Sequence, residues 1–161
     1  VIEGKYVLVL ERDGWEYVER KRGKEAVIVI AQTEDGKLIF VEQYRRPVDV
    51  NVIEWPAGLI GDDGVDDPAE TAKKELEEET GYRCERVELM TKGPTSSGIT
   101  SEIVHFFRAF GLKKTGKGGG VGEEKITVHL VDRENVRDWL AQREREGNAI
   151  DTKVWGGLYF L

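Results

Sequence analysis

Cysteine is nearly absent from this chain of 161 residues: Cys84 stands alone, so no internal disulfide can brace the fold. Long apolar runs are missing too. None approaches the roughly 20 residues needed to span a bilayer, which excludes a membrane role as a first reading. Basic charge is in deficit, with 24 Lys and Arg against 31 Asp and Glu, and the net charge of −7 opposes attraction to a nucleic-acid backbone. No nucleic-acid partner is expected. The first residues lack the basic, apolar, small-residue order of a secretory leader, which together with the single thiol points to a reducing cytoplasm. What is present is globular: 39% hydrophobic and 34% charged residues, in a length suited to one domain with its own core.

β-branched and aromatic residues cluster between turn signals and predict strands over 5–12 and 15–22, joined by Asp13-Gly14. The apolar run 26–33 should be buried on both faces, and Asp35-Gly36 turns it into a strand over 37–44 as a second hairpin. Further strands are expected over 52–55, 83–90, 102–110 and 125–131. Asp67-Pro68-Ala69-Glu70 is a capping box with Pro at the first helical position, and Gly81 suits a helix C-terminus, so a helix is expected over 68–80. A second helix is expected over 132–147 with Asp132 as cap, and a third after Asp151. This order indicates an α+β fold. The glycine-rich stretch 111–122 reads as a flexible surface loop.

The first helix carries the chemistry. Glu75 and Glu79 lie about 40° apart and Glu78 within about 60° of Glu75, beside the apolar stripe of Ala69, Ala72 and Leu76. Three convergent carboxylates repel one another unless a cation joins them, and hard oxygen ligands suit Mg²⁺ or Mn²⁺. A Mg²⁺ site of this kind implies a phosphate substrate. By composition alone, the readier reading is a soluble, glutamate-rich helix.

The run Lys74-Glu75-Leu76-Glu77-Glu78-Glu79-Thr80-Gly81-Tyr82 resembles the second half of the Nudix box, with Lys74 where the box has Arg. Glu42-Gln43-Tyr44-Arg45-Arg46-Pro47 and Glu54-Trp55-Pro56-Ala57-Gly58-Leu59-Ile60 resemble segments of the ADP-ribose pyrophosphatase branch of that superfamily. The first half of the box departs from the pattern. Counting back from Lys74 gives Asp66 and Ile60 where Glu and Gly belong, and taking Gly58 as the glycine leaves two extra loop residues. The resemblance implies a Nudix-like α/β/α sandwich with a mixed β-sheet and an N-terminal antiparallel hairpin. It implies one domain over 1–161, in which residues 1–24 would pair in a homodimer and 25–161 form the catalytic core.

It also implies Mg²⁺-dependent cleavage of ADP-ribose or another nucleoside diphosphate sugar to a nucleoside monophosphate and a sugar phosphate. Glu75 and Glu79 would be metal ligands, with Glu78 and the Ala57 carbonyl beside them. Glu124 would handle the proton of the attacking water, with Glu123 as the alternative. Trp15 would stack the base and Arg45 grip a ribose or phosphate, while Arg46 would contact substrate or serve structure. Ser97, Thr100 and Glu102 would line the sugar side. Two rival functions remain, a housekeeping hydrolase of nucleoside di- or triphosphates and a non-catalytic nucleotide-sugar sensor.

Three other patterns fall away. The stretch from Gly111 to Lys117 nearly forms a phosphate-binding Walker loop, but Gly118 stands where Ser or Thr must ligate Mg²⁺. The acidic stretch 62–67 lacks the alternating ligands of a calcium loop. His105 and His129 read as ordinary strand histidines.

Overall fold

Which neighbours the apolar strand around Val29 selects decides the architecture. The structure, a computed structural model, describes residues 2–62, 64 and 66–161. Thirteen strands, β1 to β13, occur among these: Ile2–Glu3, Val7–Arg12, Trp15–Arg20, Glu25–Ile30, Lys37–Arg45, Val50–Glu54, Ala57–Leu59, Tyr82–Arg83, Arg86–Pro94, Ile103–Phe110, Lys113–Lys114, Thr127–Asp132 and Ala149–Ile150. The α-helices are α1 Pro68–Thr80, α2 Val136–Arg145 and α3 Thr152–Leu158.

Strand β4 sits inside a four-stranded sheet of order β7-β4-β10-β9, parallel to β10 and antiparallel to β7. A second sheet has the order β12-β5-β6-β13. The alternation of β4 serves two cores at once, because successive side chains point to opposite faces. Ile28 and Ile30 pack with Leu38, Phe40 and Trp55 and with the buried residues of α2 and α3. Val27, Val29 and Ala31 join Ala72 and Leu76 of α1. Helix, sheet, helix is the resulting layering, the α/β/α sandwich expected from the sequence.

The second expected hairpin is corrected in extent. Only its tip pairs, with Thr33 N–H donating to Lys37 O at 2.8 Å and Ile39 N–H to Ala31 O at 3.0 Å. Below the tip the two arms part into different sheets, because β4 takes β7 and β10 as partners while β5 takes β6 and β12. Each arm is therefore buried on both sides. The short strands β1, β7, β8, β11 and β13 were not expected, being two or three residues long.

Helix α1 spans the expected residues. Asp67 Oδ1 accepts the Glu70 N–H at 2.9 Å, Pro68 begins the helix, and Gly81 follows it with φ of 72°. The second helix starts later than expected. Asp132 ends β12 and caps nothing with its side chain; a 3₁₀ turn over Arg133–Asn135 intervenes before α2. Asp151 does cap α3, accepting the Lys153 N–H at 2.7 Å. Leu76 is completely buried between α1 and the sheet, so Leu76→Ala should cost about 2–5 kcal/mol, read as a lower urea midpoint with an unchanged slope.

Candidate active site

Burial of Glu79 and partial burial of Glu75 set this site apart. Glu79 is 4% exposed on the sheet side of α1, where its Oε2 accepts the Ala57 N–H of β7 at 3.0 Å. Glu75, one turn earlier, stands over Gly58: a Cβ there would lie 2.1 Å from Glu75 Cδ, so glycine is what lets β7 run against the helix. Burial raises the Glu75 carboxyl to about 7, reinforced by the charge of Glu78. Burial raises Glu79 further, to about 8, against the help of the Ala57 N–H and with smaller repulsion from Glu75, Glu124 and Glu54. Glu78 is held by Lys74 at 3.6 Å, the ion pair expected from their spacing.

Glu124 reaches this group from the loop before β12. It repels both Glu75 and Glu79, and its Oε2 accepts the Val121 N–H at 2.9 Å. Glu123 and Glu124 are both exposed, and Glu124 is the one whose charge raises both carboxyls. The loop itself corrects an expectation. Residues 116–120 are docked on the end of α1, with Gly119 N–H on Glu79 O at 2.7 Å and Gly120 N–H on Glu78 O at 3.1 Å.

Arg45 closes another side. Its guanidinium grips Glu54 at two points, Nε to Oε2 at 2.8 Å and an Nη to Oε1 at 3.1 Å. Burial raises the Glu54 carboxyl even against this ion pair, and Glu54 adds to the repulsion on Glu79. Sequence reasoning missed Glu54, although it stands directly before Trp55. Arg46, just beyond β5, is exposed.

The remaining expected residues gather elsewhere. Trp15, Ser97 and Thr100 line one cavity of about 300 Å³ with Arg12, Asp13, Tyr17 and Ser101. Trp15 is 65% exposed, and its Nε1 donates to Gly98 O at 3.1 Å. Glu102 lies outside that cavity, paired with Arg20 at 2.8 Å. None of the four clustered glutamates lines it.

A divalent cation fits the chemistry of the glutamate group. Its donors are carboxylate oxygens, and two of them are held near neutrality by burial and mutual repulsion, which a bound cation relieves. Among the described residues, however, no three His, Cys, Asp or Glu side chains are gathered into a preformed metal cluster.

Comparison with known proteins decides the family. Residues 22–149, most of the chain, match the NUDIX domain. This chain belongs to the Nudix family. Among Nudix relatives it is 44% identical over 137 residues to the ADP-ribose pyrophosphatase of Bacillus subtilis (strain 168), across 84% of this chain and 71% of that protein. It is 41% identical over 136 residues to the methanol dehydrogenase activator of Bacillus methanolicus, with the same coverage of both. A GDP-mannose pyrophosphatase of Yersinia pestis (strain Pestoides F) is 31% identical over 171 residues, across 98% of this chain and 85% of that protein. The Nudix fold is shared with the crystal structure of an ADP compounds hydrolase, with a TM-score of 0.60 and 18% identity over 88% of this chain and 95% of that one.

Proposed function

We propose that this Nudix chain hydrolyses the diphosphate of ADP-ribose or a related nucleoside diphosphate sugar, using Mg²⁺ or Mn²⁺. The observation that carries this is the group of Glu75, Glu78, Glu79 and Glu124, with Glu75 raised to about 7 and Glu79 to about 8. Glu75 and Glu79 would hold the cation, with Glu78 and the Ala57 carbonyl completing the protein's share. When bound, such a cation neutralises diphosphate charge and makes a water more acidic. Glu124 would orient the attacking water and take its proton, with Glu123 as the alternative. The products from ADP-ribose would be AMP and ribose 5-phosphate.

Arg45 presents a planar fork suited to phosphate, but two of its N–H donors are engaged by Glu54. It therefore adds charge at a fixed place instead of swinging to the substrate. The Trp15 cavity would take the base, with Ser97 and Thr100 as hydroxyl partners and Glu102 holding the adjoining wall through Arg20. Arg46 is retained only as an exposed charge at the rim.

A homodimer through the N-terminal sheet β1-β2-β3 is part of this reading. No described residue of this sheet is buried, and Ile2 and Tyr6 are 71% and 70% exposed. A second copy pairing with this sheet would shape the base pocket from both chains. Among the described residues no helix is long and apolar enough to cross a membrane, and the reduced thiol of Cys84 suits the cytoplasm we assign.

The test is product release from ADP-ribose, GDP-mannose, UDP-glucose, CDP and dGTP, with Mg²⁺ and with chelator. Metal-dependent cleavage of the sugars is expected. Tight binding of one of them without turnover would replace the hydrolase by a sensor, and preference for dGTP would replace it by a housekeeping enzyme. Because base stacking is worth about 1–3 kcal/mol, Trp15→Ala should raise KM by roughly 5- to 150-fold with kcat little changed. Steady-state kinetics on ADP-ribose would show it, and an unchanged KM would remove Trp15 from the site.

A further inference from the structure

The last turn of an α-helix leaves four carbonyls without a donor inside the helix, and its end carries partial negative charge. Helix α1 worsens this by placing Glu77, Glu78 and Glu79 there with no basic residue in the last turn. Yet all four carbonyls are satisfied. Glu77 O accepts from Gly81 N–H at 2.7 Å, Glu78 O from Gly120 N–H at 3.1 Å, Glu79 O from Gly119 N–H at 2.7 Å, and Thr80 O from the Lys114 ammonium at 2.8 Å.

Two of these donors come from a glycine tract that, in sequence, reads as a linker. Gly118, Gly119 and Gly120 have φ of 68°, 105° and 82°, a region that disfavours side chains. A Cβ on Gly118 would stand 2.4 Å from the Thr80 carbonyl carbon and 2.6 Å from Glu79 O. Only a residue without a side chain brings the loop this close. From the docked tract the chain turns at once into Glu124: Val121 N–H donates to Glu124 Oε2, and Ile126 N–H returns to Gly119 O at 3.3 Å. The loop is thus tied at both ends, and the charge of Glu124 acts on Glu75 and Glu79 of the helix that the loop caps.

We infer that residues 118–120, with Lys114, are positioning residues that lock the Glu124 loop onto the end of the helix bearing Glu75 and Glu79. The inference rests on the reading of Glu124 as the group that handles the water's proton. Base and ligand helix come from segments about 40 residues apart in sequence, and the cap turns them into one rigid unit. A misplacement of about 1 Å between such groups can cost roughly a hundredfold in rate.

A double-mutant cycle between Gly118→Ala and Glu124→Gln tests this, with Gly36→Ala as the control for backbone strain alone, since Gly36 has φ of 87° at a hairpin tip with nothing nearby. Gly118→Ala should lower kcat by about a hundredfold with KM little changed. Glu124→Gln alone should cost about 10²–10⁴-fold, but less than about tenfold when added to Gly118→Ala. In the metal-free protein, the amides of Gly119 and Gly120 should be as protected from hydrogen exchange as those of α1, and lose that protection in Gly118→Ala. If Gly118→Ala does not fold, Lys114→Met serves in the cycle, because it removes the donor to Thr80 O without straining the backbone or touching Glu124. Losses that multiply, or amides that exchange as in an open loop, would overturn the inference alone. No loss in Glu124→Gln would overturn the assignment of Glu124 and the inference with it.

Discussion

Glu79→Gln is expected to lower kcat by about a thousandfold or more while making the metal-free protein more stable. Cation-assisted charge stabilisation is worth several kcal/mol, and about 4 kcal/mol corresponds to that loss. The stability gain has a separate origin. Glu79 is buried beside Glu75, Glu54 and Glu124, and its carboxyl rises to about 8 because the charged form is disfavoured there. An amide of the same shape keeps an oxygen to accept the Ala57 N–H and carries no charge. A gain of about 1–3 kcal/mol follows, visible as a higher urea midpoint without metal. Loss of activity with loss of stability would instead make Glu79 a structural residue.

The second large effect is a reversal of pH dependence by Mg²⁺. The folded-state values of Glu75 and Glu79, about 7 and about 8, lie above the ordinary 4.5, so folding favours their protonated forms. Their contribution to stability is fully present below pH 4.5 and is lost as pH rises to about 8. Glu42 works in the opposite sense. Burial alone would raise it, but hydrogen bonds from His129, Asn148 and Asn51 hold it below the ordinary value, so its contribution is present above pH 4.5 and lost on acidification. Metal-free protein should therefore lose melting temperature from about pH 5 to pH 8. A cation at a hundred times its Kd adds about 2.7 kcal/mol, or roughly 5–10 °C in a domain of this size. The added stability should be largest near pH 8, where both acids are ready to ionise, and smallest near pH 5. Scanning calorimetry with Mg²⁺ and with chelator at both pH values measures it; an increment independent of pH would mean that Glu75 and Glu79 do not bind the cation.

Legibility from sequence followed the range of the interactions. Helix α1 was readable to the residue because its signals are local: Asp67 caps it, Pro68 opens it and Gly81 closes it. The strip of Glu75, Glu78 and Glu79 followed from helical spacing, and its burial from the neighbouring Ala72 and Leu76. Strand β7 was not readable, since three residues carry no period and its pairing with Ala26–Ile28 is set by a partner some 30 residues away. The parting of β4 from β5 was hidden for the same reason: two apolar runs joined by Asp35-Gly36 look like a hairpin until β10 and β6 claim them. The tract 118–120 misled because glycine suits both a loose linker and a tightly docked loop, and only the end of α1 distinguishes them. Trp15, Ser97 and Thr100 came together through a resemblance, and Val18 of β3 bridging to Thr100 is the contact that joins their segments.

The most direct measurement is Mn²⁺ binding, followed by electron paramagnetic resonance with and without ADP-ribose, beside hydrolysis rates for wild type and Glu79→Gln. Wild type should bind Mn²⁺, more tightly with ADP-ribose present, and the variant should lose that binding together with turnover. Hydrolysis at the wild-type rate in Glu79→Gln, or Mn²⁺ binding unchanged by it, would contradict a catalytic centre on this helix.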